Sequence, residues 1–270
     1  MSHRYSLAHV TVLGCPPPEA IGIAARCGYA FVGLRTIPLG LPGEPRYVLE
    51  DDAALFRATR SALRDTGVTL LDIEDVIIAP DRDVRACARA LECGAELGAR
   101  HVICNVWGGD SAFVQDQFNQ LCDLAAPLGL KVQAEFVSFT PLYDLQDAWR
   151  LVQASGRDNA GILIDMLHFL RSGVALEEID AIPRDRFAFL HLDDGAAVAN
   201  PTVESMKAAA RGERLHVGEG VAPIREVVAR LPGLPLAIEI VHAERVRQLG
   251  YEAFAADCLA RARRYLESRG

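Results

Sequence analysis

The chain has no CxxC pair among its seven cysteines (15, 27, 87, 93, 104, 122 and 258), no long apolar run and no cluster of Lys and Arg. It also has no GxGxxG after its first apolar segment. Each absence removes a class of function. Scattered, odd-numbered cysteines give neither a structural zinc knuckle nor a disulfide framework; they read as small core residues in a reducing compartment, with the cytoplasm as the expected location. A transmembrane helix needs about 18 or more consecutive apolar residues, and the opening MSHRYSLAHV has no apolar core of the secretory kind, so a protein with neither span nor signal is expected. The formal net charge is −8 at pH 7. Neutralised phosphates supply much of a nucleic-acid binder's affinity, so an acidic chain without a basic stripe is a poor partner for DNA or RNA. An acidic balance suits a cation site and a small polar ligand instead, and a homo-oligomer is left open. Where a dinucleotide fold would carry its glycine fingerprint, TVLGCPPP stands, which argues against an open doubly wound sheet.

Half of the 270 residues are hydrophobic, enough for a large core. Eight short apolar runs recur along the chain: LAHVTVL, FVGLR, TLLDIE, HVICN, KVQAE, GILID, FAFLHL and PLAIEI. They are rich in Val, Ile, Leu and Phe with little polar alternation, as parallel strands covered on both faces require. Helical patterns lie between them. One follows the prolines at 16–18 and stops at Gly28; others cover 83–97, 111–128, 142–154 and 251–267. Strand and helix alternating eight times predict a closed (β/α)8 barrel, and without a linker or composition shift the whole of 1–270 reads as one domain.

In such a barrel the chemistry sits at the C-terminal ends of the strands. The fifth run ends in Glu135 and the sixth in Asp165; His191 lies near the end of the seventh, and the eighth ends around Glu239. Singly, each has an ordinary explanation: a solvated strand end, a helix cap, a satisfied core histidine. Together, they place three carboxylates and an imidazole on neighbouring strands about 4.8 Å apart. Such a donor set suits Mn, Mg, Co or Zn, with coordination positions left for a substrate. Arg35 ends the second run and Glu74 the third; a substrate contact and an Arg35–Glu74 ion pair are equal alternatives. Asn105 ends the fourth, as a substrate contact or as a helix cap. Arg171 is expected to fix a loop, Glu219 to close one, and His242 to lie at the surface. Asp193 and Asp194 either orient His191 or make a turn.

The segments AEF (134–136), IDMLHFLRSG (164–173), LHLDDG (190–195), RLHVGEG (214–220) and AIEI (237–240) resemble the xylose-isomerase-like barrel superfamily over nearly the whole chain. Its members include sugar isomerases and epimerases, dehydratases of inososes and 3-dehydroshikimate, and endonuclease IV. The DxxH, RSG and GEG patterns are specific to the superfamily and not to one reaction. The resemblance implies a metal on Glu135, Asp165, His191 and Glu239, with the two glutamates as acid and base on opposite substrate faces. It implies that His168 contacts a substrate oxygen and that Arg214 reaches the substrate. The pair His216-Val217 departs from the family, which often has proline at the second position.

The activity expected on this basis is isomerisation or epimerisation of a small sugar or hydroxy-carbonyl compound through an enediolate. The alternatives are a metal-dependent dehydratase, in which a β-hydroxyl leaves from the same intermediate, and a barrel that binds a small molecule without turning it over. An endonuclease is disfavoured, because the ends of the second to fourth runs offer Arg35, Glu74 and Asn105 rather than histidines.

Overall fold

Consecutive strands pair in parallel and the eighth returns to the first, closing the barrel in the order of the sequence. The computed structural model describes residues 3–40 and 44–267. Its strands are β1 Tyr5–Leu7, β2 Phe31–Arg35, β3 Thr69–Ile78, β4 His101–Val106, β5 Lys131–Glu135, β6 Ala160–Asp165, β7 Phe187–Leu192 and β8 Leu236–Ile238. The helices are α1 Pro17–Cys27, α2 Ala53–Thr66, α3 Ala88–Glu96, α4 Ser111–Ala125, α5 Leu145–Ser155, α6 Met166–Ser172, α7 Leu176–Asp180, α8 Val203–Gly212, α9 Ile224–Arg230, α10 Ala243–Leu249 and α11 Tyr251–Glu267. Among the described residues no helix is long and apolar enough to cross a membrane.

Local chemistry explains where helices begin. Asp110 caps α4 by accepting the Phe113 N–H at 2.9 Å, and Asp144 caps α5 through the Asp147 N–H at 2.8 Å. Each satisfies one of the amides that a first helical turn leaves without a partner. The apolar faces of the helices pack on the outside of the sheet, with Phe118 of α4, Phe169 of α6 and Phe254 of α11 fully buried there. Inside the barrel, Phe31, Leu71, Ile103, Leu163, Phe189 and Ala237 form a separate apolar plug contributed by six strands. That plug is the floor on which the site is built.

The first strand differs from the expectation. LAHVTVL is not a strand: pairing ends at Leu7, and His9–Val12 form a 3-10 turn whose four residues are all buried. A second departure is β3, which runs on to Ile78 and carries two register shifts, one opposite Val32/Gly33 and one between Ile73 and Val76. The second puts Glu74 and Asp75 together opposite Ile103 of β4. Bulges re-aim side chains at barrel rims, and here both acids come within reach of Arg35.

Candidate metal centre

Glu135 and Asp165 close β5 and β6, His191 is the penultimate residue of β7, and Glu239 follows β8. The Glu239 N–H continues the ladder by donating to Leu192 O at 3.0 Å, and Asp165 and His191 are register partners. One potential ligand atom from each of the four lies within 4.8 Å of the others, and all four side chains are buried. His191 Nδ1 is 3.3 Å from Glu135 Oε1 and 3.2 Å from Glu239 Oε2. Yet neither ring nitrogen of His191 makes a hydrogen bond of proper geometry, and Glu239 Oε2 has only its ion-pair contacts with His191 and Arg214. Buried polar atoms left in that state cost roughly 1–3 kcal/mol each. A divalent cation at the point they surround would satisfy them, and three carboxylate oxygens with one imidazole nitrogen match its preferences. The residues fit a metal.

The local field reflects how little water reaches these groups. Burial pushes the Glu135 carboxyl up to about 7, with His191 pulling against it. Burial acts the same way on Glu239, but Arg214 and His191 outweigh it and hold that carboxyl well below the usual range. For His191, burial favours the neutral ring; the flanking Glu239 and Glu135 prevail and keep its pKa well above the ordinary value.

Asp165 has two roles at once. Oδ1 accepts the His168 N–H at 2.9 Å and caps α6, while Oδ2 contacts Arg214 Nη1. The same Arg214 nitrogen touches Asp193 Oδ2 and lies 2.7 Å from Glu239 Oε2, and Arg214 Nε donates to Ala210 O at 3.1 Å. His168 is brought into the first turn of α6, and its Nδ1 is 3.5 Å from the Ser138 N–H and 3.2 Å from Ser138 Oγ. A neutral ring that accepts there carries its proton on Nε2; burial lowers the His168 pKa to about 4.

Above the four acids and bases opens a cavity of about 440 Å³, lined by Arg35, Asp75, Asn105, Trp107, Glu135, Phe139, His168, Lys207, Arg211, Arg214 and Glu239, among others. Arg35 thus meets both alternatives: it lines the cavity and pairs with Glu74 at 3.5 Å and Asp75 at 3.1 Å. Glu74 does not reach the cavity wall. Its Oε1 accepts the His9 N–H at 2.7 Å, and burial pushes its carboxyl up to about 8 against the pull of Arg35. Asn105 caps no helix; its Nδ2 donates to Glu135 Oε2 at 2.7 Å.

Neither aspartate after β7 orients His191. Asp193 Oδ1 accepts the Leu167 N–H at 2.9 Å and its Oδ2 contacts Arg214, while Asp194 holds the loop that follows α8. That loop is the GEG segment. Gly218 has φ +87°, and a Cβ on Gly220 would come within 2.3 Å of both Asp194 Oδ1 and Gly195 O, so both positions require glycine. Glu219 closes the loop through Arg261 and Arg245, Arg171 fixes another by donating to Ala196 O, and the partly buried His242 caps α10.

The sequence reading missed Asp75, Trp107, Ser138, Lys207 and Arg211. Two of these omissions shared a signal: Lys207 and Arg211 are spaced i, i+4, on one face of α8.

Comparison with known proteins fits this geometry. The family model for the xylose isomerase-like TIM barrel matches residues 21–252. An inosose isomerase of Halalkalibacterium halodurans is 31% identical over 77 residues, which span 28% of this chain and only 27% of that relative. Among solved structures, the IolI protein with a bound zinc atom superposes with a TM-score of 0.80 at 17% identity, covering 98% of both chains. A D-allulose 3-epimerase from Methylomonas sp., in complex with D-allulose, gives a TM-score of 0.68 at 16% identity, covering 96% of this chain and 95% of that one. At such identities the two likenesses establish the fold.

Proposed function

Given that the chain belongs to the xylose isomerase-like TIM barrel family, we propose that it is a divalent-metal-dependent isomerase or epimerase of a small sugar or hydroxy-carbonyl compound. The observation that carries this reading is the convergence of Glu135, Asp165, His191 and Glu239, from four consecutive strands, on one buried point. The inosose isomerase and the allulose epimerase support the substrate class. The zinc bound by the IolI protein supports a metal-dependent reading, Mn, Mg, Co and Zn all being compatible with the four donors here.

When bound, the ion would polarise a substrate carbonyl and offset the negative charge that builds as the neighbouring C–H bond breaks. The rest belongs to the side chains. Glu135 and Glu239 face the cavity, so each can take a proton from a substrate carbon or return one to it. The Nε2–H of His168 is a donor for a substrate hydroxyl or carbonyl oxygen. Arg214 holds Asp165 and Glu239 in place and presents its own edge to the cavity. Arg35, anchored by Glu74 and Asp75, and Asn105, anchored on Glu135, are assigned to hold further substrate hydroxyls. Return of the proton to the opposite face of the same carbon gives an epimer, and return to the adjacent carbon gives the aldose or ketose isomer. We assign this work to residues 1–270 as one domain, acting in carbohydrate metabolism. The seven free cysteines support a reducing, cytoplasmic setting.

The test is calorimetric titration of Mn2+ into chelator-treated protein and its Glu239→Gln variant, followed by incubation of ketoses and inososes in D2O. One-to-one binding that collapses in the variant, with deuterium entering the substrate at carbon, supports the reading. Loss of water from the substrate would make the protein a dehydratase. Binding without exchange would make it a non-catalytic barrel, and absence of Mn2+ binding would remove the metal assignment.

A further inference from the structure

The cations around the cavity fall into two kinds. Arg35 and Arg214 are committed to carboxylates, the first to Glu74 and Asp75, the second to Asp165, Asp193 and Glu239. Lys207 and Arg211 line the same cavity but have no carboxylate partner among the described residues. Both stand on α8, whose buried side chains are Met206, Ala209 and Ala210. Ala209 and Ala210 pack with Leu167 and Phe139, fixing the helix at the cavity rim. Residues four apart on a helix are neighbours about 6 Å from each other, so the two cationic heads can close on a single anion. Lys207 is half-buried and its Nζ lies 6.0 Å above the Phe139 ring, whose other neighbour, at 5.6 Å between centroids, is His168. This contact places the lysine on the side of the cavity that His168 lines. A basic residue in the last turn, such as Arg211, also complements the helix dipole, but that does not account for Lys207, a full turn earlier and directed to the same space.

We propose that Lys207 and Arg211 form an anion subsite, and that the natural substrate is a polyhydroxy carbonyl compound bearing a carboxylate or a phosphate at the end remote from the reacting carbons. The assignment of the reacting end rests on the function proposed above; the subsite itself does not. An anion here meets two positive charges that no carboxylate among the described residues neutralises, Lys207 half-buried and Arg211 exposed, at the mouth of a cavity whose floor is negative, and so fixes which end of the substrate enters first.

The experiment compares D-gluconate with D-sorbitol, and fructose 6-phosphate with fructose, by calorimetry. Each is titrated into wild-type protein and a Lys207→Ala/Arg211→Ala variant, with and without Mn2+. The expected result is at least about tenfold tighter binding of one anion than of its neutral counterpart, weakened by salt and abolished in the double variant, whose Mn2+ affinity is unchanged. Preference for gluconate identifies a carboxylate, and preference for fructose 6-phosphate a phosphate. Equal binding of charged and neutral ligands, no binding of either anion, or a preference that survives in the double variant overturns the subsite. If Mn2+ fails to bind while the anion preference persists and is lost in the double variant, the subsite stands and the metal-dependent reading falls. If Mn2+ binds without any anion preference, only the subsite falls.

Discussion

Asn105 Nδ2 donates to Glu135 Oε2 at 2.7 Å, which leaves Glu135 Oε1 facing His191 Nδ1 at 3.3 Å. One amide therefore decides which carboxylate oxygen of Glu135 points toward the centre of the cluster. Outer partners of this kind typically change metal affinity by about 10–100-fold when removed. Asn105→Ala is expected to weaken Mn2+ binding within that range and, because the lost bond is buried, to cost the chelator-treated protein about 1–3 kcal/mol of stability as well. An unchanged dissociation constant in the calorimeter would show that Glu135 is oriented by something else.

Asp194 is a staple of a different kind. Its Oδ1 accepts from Gly195 N and Ala222 N, each at 2.9 Å, and its Oδ2 from Gly218 N at 3.0 Å and Gly220 N at 2.9 Å. Four backbone donors converge on one buried carboxylate. Asp194→Asn removes the charge and turns an amide N–H toward donors, which at a fully desolvated site should cost about 3 kcal/mol. Urea unfolding measures that loss, and limited proteolysis should cut first within residues 215–222. A variant as stable and as resistant as wild type would contradict the role given to Asp194.

Stability should also fall in mild acid because of His9. Its Nδ1 accepts the Arg35 N–H at 2.9 Å and its Nε2 donates to Cys15 O at 2.8 Å, so the folded protein requires one neutral tautomer. Burial lowers the His9 pKa from 6.5 to about 4. A folded-state value below the unfolded one means that the contribution is present above pH 6.5 and is lost as pH falls toward 4. Linkage puts the loss near 2 kcal/mol at about pH 5. In His9→Gln, the difference in unfolding free energy between about pH 7.5 and 5 should shrink by that amount. His101, His168 and His216, whose values burial also lowers to about 4, add to the acid sensitivity, while Glu74 and Glu135, whose carboxyls burial raises to about 8 and about 7, take up protons in the folded state and oppose it.

These relationships also mark what the sequence could and could not convey. FVGLR and FAFLHL coincide with β2 and β7 to the residue, because strands buried on both faces are written as unbroken apolar runs. The metal-ligand candidates were legible for the complementary reason: a charged residue ending such a run is conspicuous. LAHVTVL misled because its 3-10 turn is as buried as a strand, and hydropathy reports burial without dihedral angles. The bulge that turns Asp75 toward Arg35 depends on pairing with β4, and Asn105 became a partner of Glu135 only when β4 and β5 were placed side by side. The Lys207, Arg211 pair was visible as a spacing, but no spacing says that the pair meets a cavity.

Arg214 offers the sharpest test of how charge is balanced at the centre. Its Nη1 contacts Asp165 and Asp193 and lies 2.7 Å from Glu239, and the guanidinium is buried. In the absence of a metal it is the principal cation facing three carboxylates that water barely reaches. Removing one partner of a buried ionic cluster leaves the others uncompensated, at a cost of about 3–5 kcal/mol. Arg214→Met, which keeps the side chain's length without its charge, should therefore destabilise the chelator-treated protein by that amount. If Glu239 and Asp165 are metal ligands, a divalent ion replaces part of the missing charge, and saturating Mn2+ should raise the melting temperature of Arg214→Met more than that of wild type. Equal shifts in the two proteins would mean that the ion binds away from these carboxylates. No destabilisation of the chelator-treated variant would mean that Asp193, Asp165 and Glu239 share protons among themselves, and do not depend on Arg214 for their compensation.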